Sequence, residues 1–243
     1  MTNLRLQEKK LRRLLKLFAI LSVFVVSACA NSTYYTAGEL KGLGNSSRVL
    51  LMPTDVLLSE QTATGILVPN AKWTAAAEGY MNDSIRALLT NRNAALVESH
   101  IQAGAPGSNP RIVQILKLHG AVGSSILAHQ YISHLKLPSK NEKFDWSLGP
   151  EVQALRKRYN TDYALFIYVR DSYASAGRVA LVVVGAVFGV SVPTGVQAGF
   201  ASLVDLRTGN VVWFNRLLRG GGDLRTAEAA TDTVSLLLKQ FPK

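Results

Sequence analysis

Tyr163–Val169 reads YALFIYV, an uncharged stretch rich in aromatic and β-branched side chains. A strand turns alternate side chains to opposite faces. A run that is apolar at every position therefore suits the centre of a sheet covered on both sides. The flanking sequence supplies the cover. Trp73, Ala76, Ala77, Tyr80, Met81, Ile85, Leu88 and Leu89 recur at intervals of three and four, which predicts an amphipathic helix ending at the Asn91-Arg92-Asn93 turn. Asn109-Pro110 opens another, because Asn can cap and Pro at the first helical position loses no needed hydrogen bond. Ile112, Ile115, Leu116, Val122, Ile126, Leu127 and Leu135 then support one long helix or a broken pair. Gly120 and Gly123 each weaken its middle by about 1 kcal/mol relative to Ala, or let two elements approach closely. A third helix starts at Gly149-Pro150, with Val152, Leu155 and Tyr159 on one side and Asn160 at its end. Asp223 is expected to cap a last one carrying Leu224, Ala227, Val234, Leu237 and Leu238.

Further strands are expected at Arg48–Pro53, Ala94–Glu98, Val196–Leu206 and Val211–Leu217, the last two joined by the turn Arg207-Thr208-Gly209-Asn210. Thr54–Asn70 reads as a polar loop and Leu137–Leu148 as irregular chain. This order predicts one α/β (α+β) domain over residues 48–243. It is a mixed sheet of about five strands with helices packed on it, closed by a β-hairpin and a helix.

The N-terminal segment has a different character. Residues 1–16 carry Arg5, Lys9, Lys10, Arg12, Arg13 and Lys16 against Glu8, and Leu17–Val26 is an uncharged run of ten. Ten residues fit a signal-peptide core and fall short of the ~20 that a membrane span needs. Val26-Ser27-Ala28-Cys29 follows, and resembles the bacterial lipobox: an aliphatic residue, two small ones, then a cysteine whose thiol takes a diacylglyceryl group. The chain holds one cysteine, and it stands at the position that pattern requires. Residues 1–28 are thus expected to be a signal peptide and Cys29 the lipidation site. Residues 29–47, rich in Ser, Thr, Gly and Asn, read as a flexible tether. Several acyl chains at ~0.8 kcal/mol per buried CH₂ make a lasting anchor. Lipoproteins of this kind with Asp beside the cysteine stay in the inner membrane. Ala30 stands there, which implies the outer membrane, facing the periplasm. Arg12-Arg13 fits a twin-arginine signal only in that pair, so general secretion is the expected route.

Removing that segment changes the charge. Of 27 basic and 16 acidic residues, six and one leave with it, so 21 − 15 gives +6 where the whole chain has +11. Much of the basic excess is export signal, and nucleic acid is not an expected partner.

Val179–Val192 (VALVVVGAVFGVSV) is fourteen residues without a charge, too short to span a bilayer. It reads as a core strand or glycine-bent buried hairpin, as an exposed surface that docks a partner or another copy, or as a loop dipping into the bilayer. Its valine content argues for β structure.

Chemistry is sparse. The chain has no G-x-S-x-G elbow, no P-loop and no G-x-G-x-x-G after a strand. His100, His119, His129 and His134 are spaced too widely for helical metal ligands, and are expected in a core or on helix surfaces. Asp145, Asp162, Asp171 and Asp205 show no spacing that forces two carboxylates together, and Asp205 is expected to bond turn amides. Arg156-Lys157-Arg158 reads as a solvated helix face able to meet anionic headgroups or an acidic partner. No catalytic residue, metal or cofactor is expected. An alternative places an unfamiliar hydrolase site around His119, His129, Asp145 and Trp146.

Ser202–Arg216 (SLVDLRTGNVVWFNR) resembles the terminal hairpin of bacterial envelope lipoproteins. These include the curli-secretion lipoprotein, the lipoprotein activators of penicillin-binding proteins, and proteins with the fold of the Tol translocation protein's N-terminal domain. The order of an RVLLMP strand, a helix, the Tyr163–Val169 strand, this hairpin and a final helix is similar as well. The likeness covers Arg48–Phe241 loosely, and Gly120–Trp146 and Val179–Val192 depart from it. It implies a protein that works by binding other envelope proteins or by assembling into a ring. With no catalytic constellation in the sequence, a non-enzymatic adaptor or assembly subunit is expected, its partner an envelope protein or further copies of itself. An alternative is a multimeric secretion or pore component that inserts Val179–Val192.

Overall fold

The computed structural model describes residues 31–36, 48–90, 95–99, 109–140, 143–191, 193–220 and 222–242. The expected signal peptide, the expected lipidation site Cys29, His100 and the turn expected at Asn91-Arg92-Asn93 lie outside the described residues. The strands are β1 (Asn31–Thr36), β2 (Arg48–Leu51), β3 (Asp55–Gln61), β4 (Leu67–Pro69), β5 (Ala95–Glu98), β6 (Tyr163–Ala174), β7 (Gln197–Asp205) and β8 (Val211–Arg219). The α-helices are α1 (Ala71–Thr90), α2 (Pro110–Tyr131), α3 (Gln153–Tyr159), α4 (Ala176–Val187) and α5 (Ala227–Leu237).

The apolar run at Tyr163 is the centre of one mixed sheet, ordered β1-β8-β7-β6-β2-β5. One edge of β6 pairs antiparallel with β7 from Tyr163↔Asp205 to Asp171↔Gln197. Its other edge is shared. β2 takes the lower part in parallel, Val49↔Tyr163 to Leu51↔Leu165, and β3 takes the upper part, Asp55↔Tyr168 to Gln61↔Ala174. Pro53, which has no N–H to give, stands at the break between them. β4 folds back on β3, outside it.

Alternation along β6 divides the core. Leu165, Ile167 and Val169 face a layer built from Ala77, Met81, Ile85 and Leu89 of α1 and Ala230, Val234 and Leu237 of α5. Ala164 and Phe166 face Ile112, Ile115, Leu116 and Ile126 of α2 and Leu155 of α3. The α/β class and mixed sheet are as expected, but among the described residues the strands number eight where about five were expected. The added ones are β1, β3 and β4. Asn31–Thr36 lies in the segment expected to be a tether; its Thr and Tyr residues are β-prone, and β8 offers them an open edge. β3 and β4 lie in the expected Thr54–Asn70 loop, where the free upper edge of β6 supplies a partner.

Two helix expectations also change. The final helix is capped by Thr226, whose Oγ1 accepts from the Ala229 N–H at 3.4 Å. Asp223 instead accepts from the backbone and side chain of Arg225. Val179–Val192 is mostly the helix α4, not strand. Ser175 Oγ caps it by accepting from the Arg178 N–H at 3.2 Å. β3 and β7 already occupy both edges of the adjoining β6, so this segment satisfies its backbone internally.

Gly123 sets the distance of α2 from the sheet. A methyl group there would lie 2.1 Å from the ring of Phe200. That ring is held by stacking on Tyr168 at 4.8 Å and Phe214 at 5.2 Å, so it has nowhere to move. Gly123→Ala should therefore destabilise by about 1–3 kcal/mol, despite Ala being the better helix former. Urea unfolding of the variant checks this; equal or greater stability would mean that the ring yields.

Candidate functional site

Three places bring polar or unusual groups together. The first lies between α2 and the sheet. Helix α2 is fixed at its start as expected, Asn109 Oδ1 accepting from the Arg111 N–H at 3.0 Å with Pro110 next. Three turns on, it sets His119 Nε2 2.7 Å from Ser202 Oγ on β7. A serine beside an imidazole has the composition of a nucleophile and its base. Here both are buried, and the imidazole is stacked on Phe166 at 4.6 Å and packed against Phe200 at 5.2 Å. Burial pushes its pKa down to about 3. The pair is a sealed core hydrogen bond, as expected of a core histidine. Ser202 was not foreseen, since the two residues are 83 apart in sequence.

The second place is a groove of about 510 Å³ beside β1. The β7–β8 turn positions it. Gly209, at φ +83°, lets the turn press on Gly149, and the Leu148 N–H donates to Gly209 O at 2.8 Å. The Val211 N–H donates to Trp146 O at 2.8 Å, which holds Trp146 at the lip. His129 lies nearly parallel to the indole with centroids 6.4 Å apart, and its Nδ1–H donates to Leu135 O. Lys140 Nζ sits 4.5 Å above the indole and 2.9 Å from Asp145 Oδ1. Its hydrogen bond lowers the Asp145 carboxyl pKa. Tyr35 of β1, stacked on Phe144 at 5.5 Å, closes the groove. Of the four residues grouped as an alternative hydrolase site, His129, Asp145 and Trp146 gather here and His119 does not. His134 sits in an exposed 3-10 turn. Flat rings and a cation suit recognition of a planar or polar partner surface.

The third place ties the upper end of the sheet to α5. Asp171 accepts from Tyr173 Oη and from Gln197 Nε2 at 2.7 Å. Gln197 Oε1 accepts from Arg219 Nε at 2.7 Å and from Thr233 Oγ1 at 3.2 Å, and Arg219 reaches Asp232 at 2.5 Å. Desolvation raises the Asp171 pKa against these hydrogen bonds. The other candidate carboxylates lie apart. Asp162 meets Arg156 at 3.5 Å, and Asp205 accepts from the Arg207 N–H at 2.8 Å in the turn, as expected. Among the described residues no group of three or more His, Cys, Asp or Glu could hold a metal ion.

Above this network stands α4. Val179, Leu181, Val183 and Val184 are exposed, and Val187 and Phe188 are 79% and 77% exposed. Arg178 is drawn inward and donates to Pro193 O at 2.8 Å. Among the described residues no helix is long and apolar enough to cross a membrane.

No protein-family description matches the chain. No curated protein matches it in sequence. Among solved structures it is similar to a PelC dodecamer from Paraburkholderia phytofirmans, at 13% identity and a TM-score of 0.39, over 88% of this chain and 99% of that one. A dodecamer of a PelC variant from the same organism aligns at 14% identity and 0.36, over 86% and 95%.

Proposed function

We propose that the chain is a non-enzymatic adaptor or assembly subunit of a bacterial cell envelope, held to the periplasmic side of the outer membrane by lipid on Cys29. The resemblance to the envelope lipoprotein group belongs to the same proposal. The observation that carries the adaptor role is the open groove at Trp146, lined by aromatic rings and lysines beside the first strand after the anchor segment. Its partner is an envelope protein or a second copy.

Two measurements test the reading. Labelled palmitate should enter the wild-type chain and be lost in Cys29→Ala. A photo-crosslinking residue at Trp146 should capture an envelope protein, or another copy, in intact cells. Labelling of Cys29→Ala at the wild-type level would remove the anchor. A chain that stays monomeric with nothing crosslinked would remove the adaptor.

The exposure of α4 favours a second reading, a multimeric secretion or pore component that inserts this segment. Conductance across planar bilayers that survives deletion of residues 179–192 would dismiss it.

A further inference from the structure

We infer that the end of the sheet carrying α4 is seated in the bilayer interface, a second membrane contact beyond the lipid. Strand register carries the argument. Asn31 pairs with Leu218, Leu218 with Ala198, and Ala198 with Arg170, so these residues form one row across the sheet. β6 runs upward from that row to Ala174, and α4 begins two residues later. The first residue of β1 therefore emerges at the end of the sheet that bears α4. Cys29 precedes Asn31 by two residues, and a chain reaches at most ~3.6 Å per residue. An anchor on Cys29 is thus tied within about 7 Å of Asn31.

The β3–β4 turn rises at this end too and presents Ile66, Leu67 and Val68 to solvent. It touches α4: a methyl group on Gly177 would lie 3.5 Å from Ala63. A hollow of about 450 Å³, lined partly by Leu57, Leu67, Pro69, Val196 and Ala198, opens beside it. Ser59, Arg170, Asp171 and Ser172 share the lining of that hollow, so the exposed apolar surface of this pole is the outer arc of α4 together with the adjoining β3–β4 turn.

The helix itself selects the occupant. With 100° per residue, Arg178, Val182 and Gly185 mark the inner side of α4. The exposed positions from Ala186 round to Leu181 span about 220°. Every side chain in that arc is apolar. A protein groove takes a stripe, whereas the acyl boundary of a bilayer solvates a wide arc. The basic Arg156–Arg158 face lies by the opposite end of β6, so the contact is apolar and resists salt.

The inference deepens the anchored reading, and its test separates the two. Val184→Cys is made in the full chain, which has one other cysteine. The extracted protein is labelled with an environment-sensitive maleimide and placed in phosphatidylethanolamine–phosphatidylglycerol vesicles containing brominated acyl chains. If Cys29 carries lipid, one label binds per chain. Two labels mean that the anchor reading has failed, and the Cys29→Ser, Val184→Cys chain is then measured in its place. The probe at 184 should shift to the blue and be quenched by the brominated lipid several-fold more than one at Lys157→Cys, and should remain so at high salt. Quenching equal to that at 157 overturns the inference. So does a shielded probe that the lipid fails to quench, which would mark a protein interface.

Discussion

Trp213→Ala should lower the unfolding free energy by about 3–5 kcal/mol, a large part of the ~5–15 kcal/mol that holds an ordinary domain. Trp213 is 0% exposed, on β8 between Leu203 of β7 and Thr36 of β1 in register. Its ring meets Phe241 edge-on at 5.3 Å, which pins the chain after α5 to the sheet. Truncation loses the buried area and leaves a hole lined by rigid strands. Trp213→Phe should cost far less. It keeps most of the packing and removes an indole N–H that has no protein acceptor. Urea titrations give the comparison: the Ala midpoint should fall with an unchanged slope. If Ala and Phe cost the same, packing at this site is not what holds β8.

The second large effect is set by pH. Burial holds the His119 pKa at about 3, against 6.5 for an unburied imidazole. Between those values the unfolded chain binds a proton that the folded chain refuses. Stability is therefore present above pH 6.5 and is lost as pH falls toward 3, by up to ~1.4 kcal/mol per pH unit. Asp171, with its raised pKa, acts in the opposite sense, because its folded form gains from protonation. Asp205 and Asp223, with lowered pKa values, lose their contributions toward the acid end. His119→Gln isolates the histidine: it cannot titrate, so the difference between variant and wild type should shrink steadily from pH 6.5 to 4. A difference that is flat across this range would mean that His119 is protonated in the fold.

The legible part of the fold was the part whose partners are written in local pattern. Tyr163–Val169, the α1 stripe at four-residue spacing and the Arg207–Asn210 turn each declare their structure within a few residues. What was hidden depended on edges offered from far away. DVLLSEQ becomes β3 because β6 outruns β2, and NSTYYT becomes β1 because β8 lacks an outer neighbour. α4 reversed its own propensity for the complementary reason: valines argue for strand, but no edge of β6 was left to receive them. The site shows the same division. Spacing could not join His119 to Ser202, or Tyr35 to Trp146, because those meetings are made by the sheet.

The pairing of β1 with β8 also fixes an order of events. Asn31 meets Leu218, a separation of 218 − 31 = 187 residues. Contacts so distant form late, since the intervening chain must be made and closed first. While residues 211–219 are still unmade, Asn31–Thr36 has no strand to join. Only when β8 arrives can Asn31–Thr36 join the sheet, so completion of the domain is what fixes its first described strand in place.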